Sequence, residues 1–317
     1  MKIVYDGTQD KRVLKDVIGR TIEALLEKDP DFVYLDADLM GCIGTQKLPE
    51  MYDRAINCGI AEANMVGTAC GLSAAGLHPV VHSFGPFASR RCFDQVFLSG
   101  GYAGNSITVI GTDPGICAAF NGGTHMPFED MALYRTIPGA VVVDITDVPM
   151  LEYCLRTFPA MQGVKYIRTQ RKGSAQVYED GTEFTVGKGK ILRDGTDCTV
   201  IACGIMVHEA MQAAAALEKE GISVGIVDPF TVKPLDTELV KSCATLTGAV
   251  VTAENHNRIG GLYSAVKEVL SGEAVTGYVA VEDEFGEVGP QDYLRERFDL
   301  TADHIVRVVK ETIAKKK

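Results

Sequence analysis

The sequence contains no run of about 18 uninterrupted apolar residues, so no segment is expected to cross a membrane. Its opening, MKIVYDGTQDKRVLKDV, turns polar after four residues and is not expected to act as a secretory signal. No C-x-x-C pair and no Cys/His cluster at zinc spacing occurs among the nine cysteines, which argues against a dithiol or zinc module. Their odd number and scatter fit reduced thiols in a cytoplasmic chain, most of them serving as small buried apolar residues. Positive charge is in deficit: 31 Lys and Arg against 42 Asp and Glu leave a net charge of −11. That balance argues against nucleic acid or an anionic membrane as a partner. The sequence also lacks G-x-S-x-G, G-x-x-x-x-G-K-[ST], H-E-x-x-H and an EF-hand loop. Serine-hydrolase, P-loop, zincin and calcium-sensor chemistry therefore drop out. Internal repeats, low-complexity segments and coiled-coil heptads are missing as well.

What remains is a chain of 317 residues, 46% hydrophobic and 23% charged, long enough for two soluble globular domains. Strand and helix patterns alternate. A helix over Arg12–Lys28 precedes the strand FVYLDADL at 32–39; a helix at 60–76 precedes the strand HPVVHSF at 78–84. A helix follows from Ala88 to Gly101, then the strands SITVIGT and AVVVDIT, the helix PMLEYCLRTFPA and a short strand VKYIR. Such alternation predicts an α/β fold with mostly parallel sheets covered on both faces. The Gly-rich, charged stretch at 171–190 breaks the rhythm. It sets the expected boundaries: a first domain over 1–175, a linker over 176–190, and a second three-layer domain over 191–317. GKGK at 187–190 reads as a charged turn rather than a phosphate loop, and the final helix at 301–314 takes Thr301 as its N-cap.

One carboxylate stands out. In NCGIAEANMVGTACGLSAAG, residues 57–76, Glu62 sits among small and apolar residues that recur at helical spacing. Glycines at 67, 71 and 76 imply that something packs closely on this helix. Glu62 is either a helix-dipole partner in the first turn or a carboxyl held in poorly solvated surroundings for chemistry. In parallel α/β sheets ligands gather at the carboxyl ends of strands. Asp38, Phe84, Phe87, Asn121, His125 and Arg168 all fall near such ends. The loop FNGGTHMPFEDMALYR at 120–135 combines two glycines, suited to ligand approach, with His125 just before a helix. Glu129 and Asp130 suit the first turn of that helix and read as structural.

Together DADLMG, INCGIAEANMVGTACGLSAAG, SFGPFASRRCFDQV, GGTHMPFEDMALYR, IVDPFTVKPLD and TAENHNRIGGLYSAVKEVL resemble the transketolase group of thiamine-diphosphate enzymes. The likeness spans nearly the whole chain and corresponds to the carboxyl-terminal half of a full-length transketolase: a pyrimidine-binding domain, then the small C-terminal domain. It implies that Glu62 hydrogen-bonds N1′ of the cofactor's aminopyrimidine and promotes the imino tautomer that deprotonates C2. Phe87 would stack on the aminopyrimidine, Phe84 would line its pocket, and Asp38 would lie near cofactor and subunit interface. His125 would contact the reacting sugar oxygens, while Arg12 and Arg168 would grip a terminal phosphate. The family binds diphosphate and a divalent metal through a Gly-Asp-Gly stretch that this chain lacks. The resemblance thus implies a split enzyme: an amino-terminal partner chain would supply the diphosphate and Mg2+ site, in an α2β2 assembly, with no metal ligands expected here.

The sequence departs from the family at the substrate end. Cys42 stands where a phosphate-contacting Ser is usual, Asp113 where a His is expected, and Asn121 where an Asp reads a donor hydroxyl. An added anion near a phosphate is unfavourable, which favours a variant substrate. The leading expectation is transfer of a two-carbon ketol unit from a ketose to an aldose. The alternatives are a 2-oxoacid dehydrogenase β subunit, a deoxyxylulose-phosphate-synthase-like enzyme, or a non-catalytic stabilising partner.

Overall fold

The computed structural model describes residues 2–316, which form two compact units. Among the described residues the first comprises 2–114 and 133–183. Its strands are β1 (Phe32–Asp36), β2 (Ala55–Asn57), β3 (His78–Phe84), β4 (Ile107–Thr112), β5 (Val141–Asp144) and β6 (Val164–Thr169). They line up in the order β5-β6-β4-β3-β1-β2, and every neighbouring pair is parallel. All residues of β1, β4, β5 and β6 are buried. This explains their near-continuous apolar sequences, since a parallel strand is covered on both faces. The helix Leu14–Lys28 packs on β1 and on the helix Val148–Thr157, and the helix Glu62–Ala74 packs on β3.

Among the described residues the second unit comprises 115–132 and 184–316. It contains β7 (Lys190–Arg193), β8 (Cys198–Ala202), β9 (Val224–Asp228), the short β10 (Thr231–Lys233), β11 (Ala249–Asn257) and β12 (Val275–Val281). Five of them form a sheet in the order β12-β11-β8-β9-β7, parallel except for β7. The helices Met206–Lys219 and Ala302–Ala314 pack together beside this sheet. Thr301 caps the latter as expected, accepting from His304 N.

Three features differ from the sequence reading. Residues 176–183 belong to the first unit, where the Val177 and Tyr178 amides each donate to Asp147 Oδ2 at 2.8 Å. The segment at 115–132 belongs to the second unit although the chain returns to the first afterwards. The helix expected over 88–101 is broken into Gly85–Ala88, Phe93–Gln95 and a π-helical Val96–Tyr102.

Candidate active site

In the first unit the site is assembled from strand ends. Glu62 is the first residue of its helix and is 2% exposed. Its Oε1 accepts a 2.7 Å bond from Arg91, whose guanidinium lies 3.9 Å over the Phe87 ring. Its Oε2 is buried and has no hydrogen-bond partner among the described residues. A buried carboxyl oxygen left in this state costs free energy unless something donates to it. Burial, reinforced by the charge of Glu62, pushes the nearby Cys92 thiol up to about 12. Phe84 ends β3, and its ring centroid lies 6.4 Å from that of Phe87 at 42°. A buried carboxyl oxygen with no partner among the described residues, near a strand end that carries two phenylalanines, fits a flat nitrogen heterocycle that shares one hydrogen bond with it. It therefore fits the aminopyrimidine end of thiamine diphosphate.

Glycines 67 and 71, expected to lie under close packing, sit on the exposed side of this helix with open space where a Cβ would go. Gly76 serves the turn after the helix at φ +92.

The substrate-end residues divide. Asp113, just past β4, is 5% exposed and is held by Arg171, whose Nε donates at 2.7 Å. Arg171 also approaches the Cys42 carbonyl at 3.4 Å and lies 5.0 Å over the Phe84 ring. Burial disfavours the Arg171 charge, but hydrogen bonding and the charge of Asp113 outweigh it and hold the guanidinium pKa above its ordinary value. Cys42, Asp113, Phe84 and Arg171 thus form one group.

Arg168 does not join them. It is fully buried inside β6 and bonds Asp144 at 3.0 Å. The end of the strand explains the difference, because Arg168 lies within the buried ladder while Arg171 lies beyond its carboxyl end. Sequence reasoning missed Arg171, although the strand-end rule points to it. Arg12 is engaged by Asp10 and Asp180, each at 2.7 Å, and the hydrogen bond to Asp10 is the main cause that holds its pKa above the ordinary value. Asp38 is exposed, at φ 65, and accepts from Asn57 Nδ2 at 3.1 Å.

Beneath the strand ends lies a fully buried network that the sequence did not reveal. Asp36 Oδ2 accepts from Tyr34 at 2.5 Å and meets His82 Nδ1 at 2.6 Å, and His82 Nε2 reaches Thr112 Oγ1 at 3.1 Å. It ties β1, β3 and β4 together where Asp38, Phe84 and Asp113 emerge.

The second unit holds Asn121, which is exposed, and His125, which is half-buried with Nδ1 2.8 Å from Thr124 Oγ1. The glycines of this loop are occupied by protein. A Cβ at Gly122 would lie 2.6 Å from Val288, and one at Gly123 would lie 2.4 Å from the Gly286 carbonyl. Gly122 thus approaches a side chain of its own unit and Gly123 a backbone carbonyl. Asp130 is buried with its Oδ1 3.9 Å from His256, as suits a structural acid.

A mostly parallel α/β unit followed by a second α/β unit is the two-domain layout of the pyrimidine-binding and C-terminal domains of transketolases. The chain belongs to the transketolase family: the transketolase pyrimidine binding domain matches residues 10–175 and the transketolase C-terminal domain matches residues 187–305. It is 46% identical, over 98% of each chain, to the 6-deoxy-6-sulfo-D-fructose transketolase subunit SqwH of Clostridium sp. (strain MSTE9). It is 36% identical to a putative transketolase C-terminal section of Methanocaldococcus jannaschii, over 94% of this chain and 95% of that one. A solved split-gene transketolase, described as an inactive beta4 tetramer, superposes with a TM-score of 0.87. That chain is 36% identical, with 96% of this chain and 99% of that one covered. The chain is accordingly the C-terminal subunit of a two-chain transketolase.

Proposed function

We propose that this subunit takes a ketose ending in a single-charged acidic group, a sulfonate above all, and helps pass its two-carbon ketol unit to an aldose. The observation that carries this reading is the Asp113–Arg171 ion pair at the substrate end. A phosphate monoester carries nearly two negative charges at neutral pH, a sulfonate only one. A pocket whose arginine is half-neutralised by a neighbouring carboxylate suits the monoanion by simple Coulomb balance. The name of the Clostridium relative, a sulfo-sugar transketolase subunit, points the same way.

In the reaction the C2–C3 bond of the ketose breaks, the remainder leaves as an aldose, and the transferred unit bonds to the acceptor aldehyde. Thiamine diphosphate, when bound, supplies the carbon nucleophile and the electron sink. Glu62 holds N1′ through the oxygen that Arg91 leaves open, and Arg91 keeps the carboxyl oriented. Phe87 and Phe84 orient the ring and exclude water. His125 holds or moves a proton at the donor hydroxyls, Asn121 reads one of them, and Arg171 binds the acidic end beside Cys42. Asp38 contributes at the cofactor and subunit boundary. We assign diphosphate and Mg2+ to an amino-terminal partner, because the sequence has no Gly-Asp-Gly. We infer an α2β2 assembly in the cytoplasm, where the nine free cysteines stay reduced.

The test is ketol transfer by the reconstituted pair with thiamine diphosphate and Mg2+, comparing 6-deoxy-6-sulfo-D-fructose with fructose 6-phosphate. A higher kcat/KM for the sulfonate is expected. Preference for the phosphate would overturn the substrate reading, and CO2 release from pyruvate without ketol transfer would overturn the reaction.

A further inference from the structure

The loop at 115–132 carries Asn121 and His125, and its conformation is costly. Ala119 lies at φ 49 and ψ −119, a region that side chains disfavour by about 1–3 kcal/mol and that persists only where surroundings over-determine it. The surroundings in question come from the carboxyl end of β11. Asn255, 1% exposed, accepts a 3.0 Å bond from the Ile116 amide through Oδ1. Its Nδ2 faces Cys117 Sγ at 3.7 Å. Gly115 is pressed so closely on Asn255 that a Cβ there would lie 2.2 Å from Oδ1. Two residues on, the Asn257 amide donates to the Phe128 carbonyl at 2.9 Å. The loop neck is closed by Gly115 N donating to Pro127 O at 3.1 Å, and Phe128 is wedged edge-on against Phe298 at 5.3 Å. Glu254 meanwhile accepts from the Leu262 and Tyr263 amides at 2.6 and 2.8 Å, which fixes β11 to the following helix.

The geometry points to Asn255 as a positioning residue of the transfer reaction: it pins the entry of the loop, while Asn257 pins the exit, so that Asn121 and His125 are presented from a braced arch. The inference rests on the role proposed for His125. It also gives the second unit a task in the chemistry, that of bracing a loop which the first unit's sequence carries in its middle.

The test uses the chain reconstituted with its amino-terminal partner, thiamine diphosphate and Mg2+, with 6-deoxy-6-sulfo-D-fructose as donor. Asn255→Ala is expected to lower kcat/KM by about 10- to 100-fold. Cofactor affinity, read by titration calorimetry, should stay within about twofold, since that seat lies in the first unit. Amide exchange over 115–132 should accelerate. Asn255→Asp retains an acceptor for Ile116 N and should recover most of the rate and the slow exchange. The decisive comparison is the double variant: Asn255→Ala should cost less activity in a His125→Ala background than in the wild type, because part of its effect runs through the position of His125. Additive losses, or unchanged exchange in Asn255→Ala, would overturn the inference. Wild-type activity in His125→Ala would instead remove the proposed role of His125. Exchange would then decide the bracing alone: faster exchange upholds it and unchanged exchange overturns it.

Discussion

At the scale of single residues, the two oxygens of Glu62 have different surroundings, and the proposed role of this residue uses that asymmetry. One accepts from Arg91; the other is buried with no hydrogen-bond partner among the described residues. Glu62→Ala should therefore reduce ketol transfer by about 100- to 10,000-fold, the range for removal of a positioned acid–base group, with little effect on assembly as judged by native mass. Asp113 poses a different question. Replacing it by Asn removes one negative charge beside Arg171. At an effective dielectric of about 20 to 80, that is worth about 1–3 kcal/mol to a second charge on the donor a few ångströms away. Asp113→Asn should thus move the kcat/KM ratio toward the phosphorylated donor by roughly five- to 150-fold. A ratio left unchanged by the substitution would count against the charge-balance argument.

At the scale of elements, two substitutions probe how tightly strands and loops are fixed. Lys165 lies fully buried in β6, and burial depresses its pKa from 10.5 to about 7. The unfolded chain binds that proton more readily between about pH 7 and 10.5, so stability rises with pH across this window. Lys165→Met should raise the thermal midpoint at pH 6, by about 1–4 kcal/mol in stability, as when other buried ionic groups give way to apolar ones. The advantage should fade toward pH 10, which thermal melts at both pH values would read. Gly123→Ala drives a Cβ against the Gly286 carbonyl, so the loop must shift. The melt should change little and donor KM should rise; a variant with wild-type kinetics would show that the loop tolerates the shift.

The elements also show what a sequence can and cannot disclose. The buried parallel strands announced themselves as apolar runs, and Glu62 as a lone acid among small residues. Phe84 and Phe87 followed from the strand end. Arg171 was hidden by Arg168 three positions earlier, since Arg168 is still paired in β6 and Arg171 lies just past its end, a boundary the sequence does not mark. The Tyr34–Asp36–His82–Thr112 network was illegible because its members come from three strands far apart in sequence. The glycines at 122 and 123 announced a close approach but not the identity of the neighbour. β12 and the helix Gln291–Arg297 passed unnoticed, because their patterns are interrupted by glycine and charge.

At the scale of the whole molecule, the family likeness covers residues 10–175 and 187–305, and no helix among the described residues is long and apolar enough to cross a membrane. On the proposed reading the subunit alone carries a seat for one end of the cofactor. Without the partner it is expected to show no ketol transfer, and titration of the partner should restore activity to a plateau at equimolar subunits. A plateau at another ratio would contradict α2β2. The path of the chain has a consequence of its own. It leaves the first unit after Pro114, returns at Leu133 and leaves again after Glu183. The two units are therefore stitched by three passages of one thread rather than joined end to end. A chimaera made by exchanging only 184–317 would cradle a stranger's loop on a foreign β11, and recombination in this lineage must carry 115–132 along with the tail to preserve it.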